Sequence, residues 1–167
     1  ATATTGNISQ TGDLTVTGAA SFTTSNSGDD ITLTNAGNVF TTSVAVNTTG
    51  AGGDATLAKD NGVILGASVV GGNLTVTANT GSITQTGALD VDGNGSFTTT
   101  AANATITLNS ANDITGTTAL STNGATGNAS ITEVNGINFA ASSVGGNLTA
   151  TATTGNISQT GDLTVTG

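Results

Sequence analysis

The first eighteen residues, ATATTGNISQTGDLTVTG (1–18), recur without a change as residues 150–167. A match of that length sets a period of 149 residues and marks the chain as a tandem array before any element is assigned. A diverged repeat lies inside it. GNISQTGDLTVTGAASFTTSNSGDDITLTNAGN (6–38) aligns with GSITQTGALDVDGNGSFTTTAANATITLNSAND (81–113) at an offset of 75, and DATLAKDNGVILGASVVGGNL (54–74) with NASITEVNGINFAASSVGGNL (128–148) at 74. One residue has therefore been lost between the two blocks. The chain reads as one continuous solenoid segment, 1–167, divided into unit A (1–70, its start truncated), unit B (71–144) and the start of the next unit A (145–167). With no Met and no atypical terminal unit, it is expected to be a window of a longer array.

Each unit divides further. Short alternating runs open at Leu14, Ile31, Leu57, Leu74, Leu89, Ile106, Ile131, Leu148 and Leu163. A second apolar position follows each of the first eight by six to nine residues: Phe22, Phe40, Val63, Ile83, Phe97, Ile114, Ile137 and Ile157. Counting one coil per opener gives eight coils per period, each of about 18–19 residues, and roughly nine coils in the chain. In the two longest steps, Val44, Val46 and Leu120 suggest a protruding loop or an added strand. Runs such as Leu74-Thr75-Val76-Thr77 alternate with period two, as a strand with one buried face does. Thr and Val suit a pleated surface, and Gly, Asn, Ser and Thr are poor helix interiors. Hairpin sheets would leave edges that a chain with no Pro and one Lys cannot protect. The expected fold is all-β: a parallel β-helix whose period of eight coils would measure ~38 Å.

Composition limits function as sharply. Thr, Gly, Ala, Asn and Ser supply 118 of 167 residues, while Cys, His, Met, Pro, Trp, Tyr and Arg are absent. Without Cys or His there is no zinc site, disulfide or Ser/Cys–His pair. One cation against ten carboxylates disfavours a surface that tracks nucleic-acid phosphates. Missing Trp, Tyr and Arg removes the usual anchors of a compact recognition site. The expectation is no enzyme, no cofactor, no nucleic-acid partner and no membrane insertion.

The order and spacing of GGNLTVTANTGSITQTGALDVDGNGSFTT (71–99), ITLNSANDI (106–114) and ATLAKDNGVILGAS (55–68) resemble the filamentous-haemagglutinin-like repeats of giant bacterial surface adhesins, over essentially the whole chain. The resemblance implies a right-handed parallel β-helix stalk, exported by two-partner or autotransporter secretion and displayed outside the cell. Nothing matches a secretion domain or a receptor-binding tip, so no receptor is implied.

The best apparent ligand cluster is Asp90-Val91-Asp92-Gly93-Asn94, whose Asp90, Asp92 and Asn94 fit positions 1, 3 and 5 of an EF-hand loop. The twelfth position is Ala101, so the bidentate Glu is missing. On a strand, Leu89 and Val91 would point inward and the two aspartates outward, leaving a weak calcium candidate at best. Gly50-Ala51-Gly52-Gly53 lacks the helix and cation of a phosphate loop and reads as a corner. Lys59 and Glu133 occupy equivalent places about four coils apart and read as solvated turn residues. Outward Thr-x-Thr pairs raise ice or glycan binding as an alternative. On the predicted coils, however, Thr149/Thr151, Thr15/Thr17 and Thr32/Thr34 would be followed by Ala58, Lys59 and Asp60, and later by Asp90 and Asp92. A functional amyloid is a further alternative, although Gln occurs only three times. The function expected is a structural stalk or fibre segment of an extracellular adhesin or biofilm matrix filament. Its partners would be further copies end to end, with lateral contacts tuned by salt or calcium.

Overall fold

A computed structural model describes residues 1–167. Its 22 strands, with no helix, form two ten-stranded sheets and one two-stranded sheet. Sheet I contains, among others, Ala20–Ser27, Val44–Thr49, Leu89–Val91, Ile106–Ile114 and Ala129–Glu133. Sheet II contains Ile31–Leu33, Ala55–Lys59, Leu74–Ala78, Gly95–Ala102 and Thr118–Asn123. The small sheet, Thr15–Val16 with Val39–Phe40, continues the first two coils of sheet II. Every pairing is parallel and joins a strand to its counterpart one circuit on, which is a β-solenoid. The chain visits sheets I and II alternately, sixteen half-coils in all, and so winds through eight coils.

The coil is longer than the opener count implies. Registers advance by 24 from Ala20 to Val44, by 21 from Ser68 to Leu89 and by 19 from Ala55 to Leu74. The mean is about 21 residues per coil, so the 149-residue period holds seven coils and not eight. The openers mislead because they change sheets. Ile31, Leu57 and Leu74 lie on sheet II, Leu89, Ile106, Ile131 and Leu148 on sheet I, and Leu163 on sheet II again. Leu57 stacks on Leu33, not on Ile31, and Leu89 on Ser68, not on Leu74. Val44, Val46 and Leu120 belong to ordinary strands of the solenoid rather than to a protruding loop.

A 75-residue unit therefore spans seven half-coils, an odd number, and equivalent segments fall on opposite sheets. Phe22 lies on sheet I and its counterpart Phe97 on sheet II; Ala55–Lys59 lies on sheet II and Ala129–Glu133 on sheet I. Consecutive units are thus related by a half-turn about the solenoid axis, and only the doubled unit restores the original face.

The core is a set of columns. Leu33, Leu57, Val76, Phe97 and Leu120 stack through sheet II, each 1% exposed or less. Few large residues per coil suffice because each layer is covered by the next. Corners are equally repetitive. Gly53, Gly72, Gly93 and Gly116 follow one another up one corner, joined N–H to C=O at 2.9, 2.9 and 3.0 Å. A Cβ on Gly93 would lie 2.5 Å from the Gly72 carbonyl oxygen, so the close coil approach itself demands glycine there. After each glycine comes Asp54, Asn73, Asn94 or Thr117, and the side-chain oxygens of the first three accept the N–H of the residue one coil on at 2.7–2.9 Å. Asn103, at φ +66°, is the one non-glycine in the left-handed region, and its counterpart is Gly28 at φ +81°.

The revised coil count is measurable. Fibre diffraction or cryo-EM of an extended array should show a ~4.8 Å axial repeat and a superperiod of ~34 Å, seven spacings; a ~38 Å superperiod would restore the eight-coil reading.

Candidate functional site

No pocket opens in the solenoid surface, so candidate sites must be sought among the columns of stacked side chains. Asp90 and Asp92 are exposed while Leu89 and Val91 are buried, as the alternation predicts. The EF-hand positions belong to different elements, with Asp90 on a strand and Asp92 in the bend that follows it. Asp90 lies on a sheet I strand, and the Oδ1 of Asn94 accepts the N–H of Thr117 at 2.8 Å and its hydroxyl at 2.9 Å. The nearest carboxylate neighbour of Asp90 in the ladder is Asp113, directly opposite one coil on. Asp113 in turn accepts the side-chain amide of Asn135 at 2.8 Å. No three His, Cys, Asp or Glu side chains gather into a metal-binding group.

Lys59 and Glu133 are not solvated turn residues. They are 5% and 1% exposed, each closing the inward series of its strand: Ala55, Leu57, Lys59 and Ala129, Ile131, Glu133. The odd half-coil count puts them on opposite sheets, three and a half coils or ~17 Å apart. Lys59 Nζ donates to the carbonyl of Phe40 at 2.9 Å and stands 5.9 Å from that ring's centroid. Burial lowers its pKa. Glu133 Oε2 accepts the Ile114 N–H at 3.0 Å, and its Oε1 has no partner. Burial raises its carboxyl to a pKa of about 7; the Ile114 bond opposes the shift and the Asp113 charge adds to it.

The three glutamines, Gln10, Gln85 and Gln159, occupy a single position of the repeat, which the same offsets of 75 and 74 announce. Gln85 and the fully buried Asn112 exchange amide bonds at 2.8 and 3.2 Å; Gln10 and Asn38 do the same at 2.8 Å each. Asn112 also accepts the Leu89 N–H and donates to the carbonyls of Leu108 and Thr132. The matching bond from Leu14 to Asn38 shows that Asn38 corresponds to Asn112, not to Asp113. The lost residue thus falls in the bend after Leu33, between 34–37 and 109–111. These bridges are structural.

The outer face of sheet II carries two columns of small, uncharged side chains. Thr32, Thr56, Thr75, Ser96 and Ala119 form one column over five coils. Ala58, Thr77, Thr98, Ser121 and Ser143 form a parallel one. Of the predicted interruptions only Ala58 lies in them: Lys59 is buried, Asp60 and Asp92 lie in bends, and Asp90 is on the opposite sheet. Parity within the strands would have found these columns once the coil length was right. The outer face of sheet I carries a similar column, Ile64, Thr84, Thr107, Ser130 and Thr149, beside a second that runs through Asn47, Val69, Asp90 and Asp113.

Comparison with protein families matches residues 1–47, 52–121 and 126–167 to a family described as repeats of unknown function (DUF5649). The chain belongs to that family. Its second and third matched stretches begin at 52 and 126, the repeat offset of 74, in the glycine-rich corner after Val44–Thr49 and its counterpart. Searches of curated proteins and of solved structures return no match.

Two substitutions test the buried polar groups. Glu133 holds its proton more tightly when folded, so its contribution is complete below pH 4.5 and declines as pH rises to about 7. Replacing it, Glu133→Gln, should flatten that decline and raise stability at pH 8 by up to about 3 kcal/mol, measured by denaturant unfolding of both proteins across pH 4–8. Asn112→Ala should destabilise by about 2–4 kcal/mol, because it strands the Leu89 N–H and the Gln85 amide.

Proposed function

We propose that this chain is a segment of a rigid structural fibre, a stalk whose function is length and stiffness rather than chemistry. One observation carries the reading. The 149-residue period spans an integral seven coils, so a further copy continues every strand ladder and apolar column in register. The identity of residues 1–18 and 150–167 is what such continuation requires.

The finer reading, an extracellular adhesin or biofilm matrix filament of bacteria, rests on the resemblance to filamentous-haemagglutinin-like repeats and on the disulfide-free, Thr-rich composition. Apart from the buried Glu133 and Lys59, the charge of one period comes from eight aspartates over ~34 Å. Their mean axial spacing is shorter than the ~8 Å Debye length at physiological salt, so parallel fibres repel until salt or divalent cations screen them.

Two measurements test this. Concatenated copies should lengthen by ~34 Å per period without change of width, by small-angle scattering or electron microscopy. Light scattering should rise with salt and with calcium up to the millimolar range. Copies that collapse or branch, or a chain indifferent to both ions, would count against the stalk.

A further inference from the structure

The geometry points to Asn61, and after it to its counterpart Asn135, as a site of spontaneous covalent modification, the conversion of an Asn-Gly step to aspartate and isoaspartate. The inference goes beyond the stalk reading and does not depend on it. Five steps in the chain have the composition for this reaction: Asn-Gly at 61–62, 94–95, 123–124 and 135–136, and Asp-Gly at 92–93. Glycine leaves the attacking nitrogen unshielded by a side chain and its backbone free to turn. That nitrogen must reach the Cγ of the residue before it, so the peptide plane joining the two residues has to rotate. A plane whose C=O or N–H is bonded to a neighbouring coil rotates only by breaking that bond. Three of the five planes are held in this way. Asn94 C=O accepts the Leu74 N–H at 2.9 Å, and Gly95 N–H donates to the Thr117 carbonyl at 2.9 Å. Gly93 N–H donates to the Gly72 carbonyl at 2.9 Å, and Asn123 C=O accepts the Asn103 N–H at 2.6 Å.

The planes at 61–62 and 135–136 make no such bond, although the residues on either side are anchored. Asp60 N–H donates to the Ala36 carbonyl at 2.7 Å, and Val63 N–H to that of Ser82 at 2.9 Å. Val134 and Ile137 are anchored likewise, to the carbonyls of Asn112 and Asn156. The free link thus recurs at one bend of both units, and the side chains rank the two copies. Asn135 Nδ2 donates to Asp113 Oδ1 at 2.8 Å, whereas the exposed Asn61 side chain is unbonded. The reaction balances with water as its one co-reactant. Gly62 N attacks Asn61 Cγ, the Cγ–Nδ2 bond breaks, and ammonia leaves with the proton of the Gly62 N–H. Water then opens the succinimide ring at Cγ to give aspartate, or at the Asn61 carbonyl carbon to give isoaspartate, whose backbone runs through Cγ. Either product adds a carboxylate next to Asp60. Isoaspartate also lengthens the backbone by one carbon at a bend where coils meet tightly, since a Cβ on Gly81 would lie 2.4 Å from Gly62 N.

The test incubates the 167-residue chain in neutral buffer, folded and in denaturant, and follows each step by peptide mapping with mass spectrometry. Isoaspartate is read separately by enzymatic methylation. Unfolded, the four Asn-Gly steps should convert at similar rates. Folded, Asn61 should convert first, and Asn94 at least about tenfold more slowly, because two bonds between coils must open before its plane can turn. Asp113→Ala, its fold checked by circular dichroism, should bring Asn135 up to the rate of Asn61. Where that variant does not fold, the ranking within the unaltered chain still decides. Equal rates at Asn61 and Asn94 in the folded chain would overturn the assignment. So would a folded Asn61 that stays intact while the unfolded chain converts, or an Asn135 rate that a folded Asp113→Ala leaves unchanged. None of these outcomes alters the length per period, so the stalk reading stands or falls separately.

Discussion

The parallel ladder between successive coils is the interaction on which everything else depends. Each strand meets its counterpart one circuit later, so backbone groups are satisfied by a neighbour with the same inward–outward alternation. Stacking like on like then follows without further instruction. Valine, leucine and phenylalanine accumulate in inward columns, glycines line the corners where backbones approach closely, and Asn or Asp side chains rise along the same corners. A single misplaced residue is felt because the register passes through it. Where the unit lost a residue after Leu33, the loss sits in a bend, and the Asn38 and Asn112 bridges keep the two versions equivalent.

The periods, the absence of helices and the inward–outward alternation are legible from residues alone. The coil length is not, because the apolar openers drift between the sheets: Leu74 and Leu89 look like successive coils but face opposite sides. A better marker is present. The Gly-Asp or Gly-Asn step at 53–54, 72–73 and 93–94 opens one sheet at coil spacing, since it serves the corner itself and not the core. Lys59 and Glu133 are misplaced by any reading that weighs charge above parity. Their strands read Ala55-Thr56-Leu57-Ala58-Lys59 and Ala129-Ser130-Ile131-Thr132-Glu133, and alternation already turns both inward. The threonine columns are hidden by the short coil, as a circuit lacking two or three residues scatters them among acidic ones.

Burial of one charge-bearing side chain at the same repeat position in each unit, with opposite sign, is the clearest departure from an otherwise apolar core. Alanines stack above both, Ala78 over Lys59 and Ala152 over Glu133, so small neighbours make room for the longer side chains. Their burial leaves aspartate to set the exterior charge, and the sheets divide that charge unequally.

The odd number of half-coils per unit has a consequence for how such a protein can grow. Insertion of one 75-residue unit into an existing array would rotate everything beyond it by half a turn. Insertion of a pair leaves the downstream rod facing as before. Recombination between neighbouring copies would thus be tolerated in steps of two wherever the two sides differ. The longest unbroken identity in the chain is of that kind, joining residues 1–18 to 150–167 across a doubled unit while the single units have diverged.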